Sequence, residues 1–445
     1  MSAARHDQTT RTRLIGCGVR RPPLRLSALD IAPGGVAVPR AAAFAYRVDL
    51  ERLLDSLRGC LRELPFFCGR LIKTADGWWA VDVNDAGIQY TVVEVDAAMP
   101  PYGYRRSMKP DMHRLTEPLA FAPVGRDRPL VGIRVTRFRD GTVVGVTNNH
   151  ALTDGAGAWL FLDRWSQHFR GQPADGAPTF DRAPLLSPGE SRATTGAGPL
   201  PERPLSPLGL AGFIARSLLT SRTGATAVFH LPAAALANHK SHLSARLPAG
   251  EWISTQDVAM SLMLQAVAAA TVQERLQTGT IYDIRKLPEL GLAAQYVGNA
   301  ATARAFVERS SELARDPLTA ARTLRRLAAT VTGDRMRAEL RHDLARITPS
   351  NALRHMPPFI RDQFADGLLL NNYSRFPIYR ADFGGGPPIW GDYPRLPLHR
   401  VITLCPDPTG DGVAVHLTLP RTEMRRLVRP EGAGVGGVVD LRART

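Results

Sequence analysis

The stretch Asn148-Asn149-His150-Ala151-Leu152-Thr153-Asp154-Gly155 stands between two segments of different periodicity, and that position decides how the chain is read. Upstream, Leu130 to Phe138 and Thr142 to Thr147 are strand-like and are separated by Arg139-Asp140-Gly141, a strong hairpin signal. Downstream, Ala158, Phe161, Leu162, Trp165 and Phe169 recur at helical spacing and predict one buried stripe on a helix that starts near Gly155. The octapeptide is therefore a strand-to-helix junction, a place where side chains are commonly presented to a cleft. A neutral imidazole at His150 can take a proton from a hydroxyl or amine near neutral pH. Asp154 can accept a hydrogen bond or turn away into a structural ion pair. Gly155 permits close backbone approach, and the helix N-terminus favours negative charge developing nearby. Of the 11 histidines, only His150 has an aspartate four residues on. The competing reading is a histidine satisfied structurally at a strand end.

Working outward, Leu50, Leu53, Leu54, Leu57 and Leu61 predict a helix over 49–64, stopped by Pro65, and Trp78 to Val83 predicts a strand. Residues 172–209 carry prolines from Pro173 to Pro207 among glycines and serines, and read as an extended crossover. Ala227 to Leu231 reads as a strand. A helix is expected from about 255, with Ser254 or Thr255 as its cap and Asp257 in the first turn. Arg/Glu-rich helices over 308–346 and two short strands, Arg400–Leu404 and Val413–Leu419, complete the pattern. The polar first dozen residues are expected to fray, and the Gly-rich end to be mobile. Strands and helices alternate in both halves, which predicts an α/β protein of two sheet-and-helix units with a groove between them. The expected division is an N-terminal lobe at 1–171, a linker at 172–225, a C-terminal lobe at 226–430 and a tail at 431–445.

The 445 residues are 44% hydrophobic and 22% charged, which excludes disorder as a whole-chain reading. The net charge of +15 raises nucleic acid, a membrane surface or an acidic partner as candidates. Yet of 56 basic residues only Lys73, Lys109, Lys240 and Lys286 are lysines, and the 52 arginines are scattered from Arg5 to Arg444. Scattered charge solvates a surface; a nucleic-acid binder concentrates it in a patch. Cys17, Cys60, Cys68 and Cys405 lie far apart without a metal-binding spacing, so they read as reduced thiols and no metal is expected. No signal-like segment and no run of about 18 apolar residues is present, so the expectation is a cytoplasmic, monomeric protein with no membrane or nucleic-acid partner.

Further pieces carry a family resemblance. Asn372-Tyr373-Ser374-Arg375-Phe376-Pro377-Ile378-Tyr379-Arg380-Ala381-Asp382-Phe383-Gly384-Gly385-Gly386 resembles the S-W-x-R-F-P-x-Y-x-x-D-F-G-W-G segment of the BAHD acyltransferases. Leu26-Ser27-Ala28-Leu29-Asp30, Phe67-Cys68-Gly69-Arg70-Leu71, Ser254-Thr255-Gln256-Asp257, Asp283-Ile284-Arg285 and Tyr296-Val297-Gly298-Asn299 are similar to other pieces of that family, in the same order, as is His150 to Gly155. The match runs from about residue 22 to about 420. It departs at Gly385 and Tyr373, each of which replaces a tryptophan.

The resemblance implies two similar chloramphenicol-acetyltransferase-like lobes, each a mixed β-sheet with flanking helices, and an active-site channel between them. It implies transfer of an acyl group from acyl-CoA, a co-substrate rather than a bound cofactor, to a hydroxyl or amine of a small specialised metabolite. His150 would be the general base in a direct ternary complex, and Tyr373 would donate a hydrogen bond to the thioester oxyanion. Asp154 would pair with Arg285 and, with Gly155, support the site. Asp382 would hold a turn or ion pair. Asn371 and Asn149 are the candidate substrate contacts. Asn149 stands where condensation domains carry another histidine, which leans toward the acyl-CoA-dependent branch. Two other readings remain: a condensation-type transferase fed by an acidic acyl carrier protein, and a degenerate transferase fold used for binding.

Overall fold

The hairpin expected around Asp140-Gly141 forms and becomes the middle of a six-stranded mixed sheet. The structure, a computed structural model, describes residues 8–34, 36–119, 124–172, 176–188, 205–346, 351, 367–393 and 400–428. With strands numbered along the chain, the first sheet runs β1 (Gln8–Ile15), β6 (Ile88–Val95), β7 (Val131–Arg137), β8 (Thr142–Asn149), β3 (Ala37–Phe44) and β13 (Trp390–Asp392). The second runs β11 (Ala301–Arg309), β10 (Arg275–Asp283), β12 (Leu368–Asn372), β14 (Val401–Pro406), β15 (Val413–Pro420) and β9 (Gly224–Leu231). A small antiparallel sheet joins β2 (Arg21–Arg25), β5 (Trp79–Val83) and β4 (Arg70–Lys73). One parallel pair, β6 with β7, lies in the first large sheet, and two, β10–β12 and β12–β14, lie in the second. The chain is thus a two-lobed α/β protein with a mixed sheet in each lobe.

Helices cover these sheets for reasons readable in their sequences. Helix Leu50–Glu63 is capped by Asp49, whose carboxylate accepts the amides of Glu51 and Arg52, and buries Leu53, Leu54, Leu57 and Leu61. Helix Gly155–Arg170 buries Ala158, Phe161, Leu162, Trp165 and Phe169 and ends at Gly171 in the left-handed conformation, φ 65°. In the second lobe, helix Thr255–Ala270 opens with a capping box between Ser254 and Asp257 and is buried nearly all round, as its Ala, Leu, Met and Val content requires.

The structure changes three expectations. Gln8–Ile15 does not fray: it pairs along its whole length with β6, from Gln8 opposite Val95 to Ile15 opposite Ile88. It is an edge strand whose side chains are mostly exposed, so its polarity hid it. The crossover is not extended throughout, because Pro207–Thr223 is a helix capped by Ser206. Pro207 sits at its first turn, where a missing amide N–H costs nothing. The second sheet then begins at Gly224, two residues before the expected boundary. Finally, the C-terminal half returns to the first sheet. Trp390 pairs with Ala43 and Asp392 with Ala41, while Phe383 packs 5.3 Å from Phe44, 5.2 Å from Trp165 and 5.5 Å from Phe169. Ile378, Ala381, Phe383, Trp390 and Tyr393 therefore belong to the first hydrophobic core although they lie within 226–430. The expected tail at 431–445 lies outside the described residues. Among those described, no helix is long and apolar enough to cross a membrane.

Candidate active site

His150 follows the last residue of β8, and its backbone N–H donates to Val36 O at 2.7 Å, so the end of the first sheet fixes its position. Its imidazole Nδ1 lies 3.0 Å from Asn299 Oδ1, an atom of the other half of the chain. The Asn299 amide is itself held. Its Nδ2 donates to His150 O at 2.7 Å and to Asp30 Oδ1 at 2.9 Å, which leaves Oδ1 as the acceptor. The network therefore assigns the proton to Nδ1 and the free lone pair to Nε2. Burial lowers the His150 pKa from its ordinary value, assisted by the charge of Arg40 and opposed by Asp154 and Asn299. The ring is neutral at pH 7 and can accept a proton.

Asp30 anchors this arrangement. Its Oδ2 accepts Ser27 N and Oγ at 2.9 and 2.8 Å and faces Arg182 Nε at 3.3 Å, with both charged side chains essentially inaccessible. Arg182 also donates to Phe180 O and Leu152 O at 2.7 and 2.8 Å. Asp30 and Asn299 entered the sequence reading only as parts of family-like pieces, and Arg182 not at all. No local signal gives these roles, because the partners lie 269 and 152 positions apart.

Asp154 is turned into the structure. It caps helix Gly155–Arg170 by accepting Gly157 N at 3.0 Å, accepts Ala300 N at 3.0 Å through Oδ2, and meets Arg285 Nη2 at 2.9 Å. The expected ion pair is thus present. Arg285 further donates to Tyr296 O at 2.9 Å and Gly298 O at 2.7 Å, clamping the segment that carries Asn299. Burial alone would lower the Arg285 pKa, but Asp154 and Asp283 outweigh it and hold it above its ordinary value.

Tyr373 stands at the end of β12 on the opposite side of the junction, stacked on Phe376 with ring centroids 4.6 Å apart. A Cβ on Gly155 would lie 3.2 Å from Phe376 Cε2 and 3.7 Å from Tyr373 Cζ, so the absence of a side chain lets this aromatic pair approach the helix N-terminus. Burial raises the Tyr373 pKa far above neutrality, which keeps its hydroxyl a hydrogen-bond donor. Asn371, two residues earlier in β12, is buried with 5% exposure.

The two remaining expected residues each hold a turn. Asn149 accepts the Ala151 amide at 2.9 Å through Oδ1, a contact that shapes the turn carrying His150. Asp382 accepts Gly384 N and Gly386 N at 2.8 and 2.9 Å and lies 3.8 Å from Arg170, the turn and ion pair anticipated for it. The Gly385 departure has a steric cause here: a Cβ there would lie 2.6 Å from the Tyr46 ring. Elsewhere, Cys17, Cys68 and Asp85 bring their donor atoms within 4.8 Å of one another, a cluster the sequence spacing did not show. The Asp85 oxygens already accept Cys17 N at 2.7 Å and Gly18 N at 2.9 Å.

A family model described as the Transferase family matches residues 21–431. The chain is similar to a hydroxycinnamoyltransferase of Narcissus pseudonarcissus, 25% identical over 369 residues that make up 78% of this chain and 80% of that protein. Among solved structures, vinorine synthase is similar with a TM-score of 0.70 at 18% identity, covering 99% of this chain and 100% of that one. F. graminearum TRI101, complexed with coenzyme A and deoxynivalenol, gives a TM-score of 0.70 at 15% identity over 93% of this chain and 98% of that one. Both structures share the two-lobed fold.

Proposed function

The chain belongs to the Transferase family and is an acyl-CoA-dependent acyltransferase of BAHD type, and from that premise we propose that His150 is the general base of a direct transfer to a small-molecule acceptor. The observation that carries this reading is the Asn299 amide, held by Asp30 and by His150 O, which leaves the Nε2 lone pair free. In the proposed step Nε2 takes the proton from the acceptor hydroxyl or amine as that atom attacks the thioester carbonyl. The C–S bond then breaks, and the imidazolium returns its proton to the departing coenzyme A thiolate. The products are the acyl ester or amide and free coenzyme A. General base catalysis of this kind contributes about 10²–10⁴-fold. Holding both substrates at one junction supplies much of the remainder.

Tyr373 is the proposed donor to the oxyanion of the tetrahedral intermediate, since its hydroxyl stays protonated and its ring faces Gly155. Asp154 and Arg285 are positioning residues that hold the segment bearing Asn299. Asn371 is the remaining candidate for contact with the acceptor.

The similarity to a hydroxycinnamoyltransferase makes hydroxycinnamoyl-CoA thioesters the first donors to try, beside acetyl-CoA. The test is free-thiol release with a panel of acceptor alcohols and amines. Release that requires both donor and acceptor supports the reading, and release without acceptor contradicts it. Parallel assays with acyl-carrier-protein thioesters separate a coenzyme A donor from a carrier-bound one.

A further inference from the structure

Six arginines are buried among the described residues, and five of them face a carboxylate: Arg70 with Asp127, Arg182 with Asp30, Arg285 with Asp154, Arg304 with Glu339 and Arg400 with Glu423. The sixth, Arg40, does not. It lies in the middle of β3 with 3% exposure, and among the described residues its side chain makes one hydrogen bond, from Nη1 to Asn148 Oδ1 at 2.6 Å. Asn148 is fixed in that role because its own Nδ2 donates to Asn149 O and Thr153 O at 2.9 and 3.2 Å.

The position of this arginine is informative. Arg40 pairs with Val146 in β8, and its guanidinium reaches along that strand to Asn148, two residues short of His150. Burial lowers the Arg40 pKa to about 10, with Tyr373 and Asp154 opposing the fall, so the group remains charged at pH 7. The same charge helps lower the pKa of His150. A permanent cation thus lies close enough to act on both the proposed base and the proposed oxyanion donor, and among the described residues only Asn148 accepts from it. A buried charge lacking a counter-charge is costly, and breaking up a buried pair costs more than a surface one because of it. The planar guanidinium fork matches a carboxylate in two parallel hydrogen bonds.

We propose that Arg40 is the subsite for a carboxylate carried by one of the two substrates, so that this enzyme selects a hydroxy acid as acceptor or a dicarboxylic half-thioester as donor. The inference rests on the reading of His150 as the reaction centre, because only that places the carboxylate beside the reacting atoms. It differs from an oxyanion or pKa-tuning role for Arg40, either of which would serve neutral and acidic substrates alike.

The experiment measures equilibrium binding of ligand pairs by calorimetry. The acceptor arm uses aromatic and aliphatic hydroxy acids, 3-hydroxybenzoate among them, each beside its methyl ester. The donor arm uses malonyl-CoA beside acetyl-CoA. At least one pair is expected to favour the carboxylate by about tenfold or more in the wild type. Arg40→Met should bring that ratio to near one and Arg40→Lys should keep part of it, with folding checked by circular dichroism. If Arg40→Met fails to fold, Arg40→Gln makes the same comparison. Equal binding within every wild-type pair, or a preference that survives loss of the guanidinium, overturns the proposal. Thiol release is read separately. Acid-selective binding without acceptor-dependent thiol release would count against acyl transfer and leave the carboxylate subsite standing.

Discussion

His150 and His416 both lie where the two halves of the chain meet, and their surroundings treat the imidazole differently. His150 is partly exposed at a strand end and is held through Nδ1 by an amide whose own hydrogen bonds are complete. His416, in β15, is 3% exposed, and its Nδ1 has no hydrogen-bond partner among the described residues although Asp392 lies 3.6 Å away. Asp392 is instead committed to Lys109 Nζ at 2.7 Å, Ser107 Oγ at 2.6 Å and Met108 N at 3.1 Å. Burial and the Lys109 charge push His416 down to about 3, against the pull of Asp392. One histidine is oriented with a free nitrogen at an accessible edge, and the other is packed between Trp390 and Tyr393 at 5.9 and 5.2 Å as a neutral core residue. Burial makes both rings neutral. What distinguishes a site from a core contact is the second layer that fixes which nitrogen faces outward.

The strongest way to break this comparison is to remove each ring in turn. His150→Ala should reduce acceptor-dependent thiol release by about 10²–10⁴-fold with the fold intact. Near wild-type turnover in that variant would make His150 a structural residue like His416. Next in size is the clamp beneath His150. Arg285→Met leaves Asp154 buried without its cation, and breaking a buried pair in this way costs about 3–5 kcal/mol. We expect a clear fall in melting temperature and, because the Asn299 segment loosens, about a hundredfold loss of turnover. A variant as active and as stable as the wild type would show that the His150 loop needs no such support.

Much of this was readable from the chain, and the boundary is physical. The hairpin, helix Leu50–Glu63 and helix Gly155–Arg170 followed from local periodicity because each buries one face. The pairing of Asp154 with Arg285 was anticipated from a family resemblance, since the partners are 131 positions apart and no local pattern joins them. Strand β1 was missed because an edge strand can be polar on both faces, and helix Pro207–Thr223 was missed because proline in a first turn looks like proline in a linker. The turn contact of Asn149 was not legible because an asparagine beside a histidine carries no sign of whether it faces a ligand or its own turn. Arg40 was one among 52 arginines in the sequence and became distinct only when burial and the absence of an acid could be seen together.

A smaller effect sharpens the contrast from the opposite side of the junction. Tyr373→Phe removes only a hydroxyl from a ring stacked on Phe376, so the fold should hold. If that hydroxyl meets the developing oxyanion, kcat should fall about tenfold or more while KM changes little. A loss well under tenfold would assign Tyr373 to packing, as the stacking alone would suggest.

The smallest effect on turnover is expected at His416. His416→Gln should leave thiol release within about twofold of wild type, because the ring touches no proposed reacting group. Its effect belongs to stability and depends on pH. The folded value near 3 lies below the ordinary 6.5, so the unfolded chain binds a proton that the folded chain refuses. Stability is therefore complete above pH 6.5 and falls as the pH drops below it. The slope is about 1.4 kcal/mol per pH unit, or about 2 kcal/mol between pH 6.5 and 5. Urea melts of the wild type and His416→Gln across that interval should show the substitution flattening the slope by about that amount. An unchanged slope would mean that His416 keeps its proton in the fold, paired with Asp392, and the two histidines would then differ in charge as well as in setting.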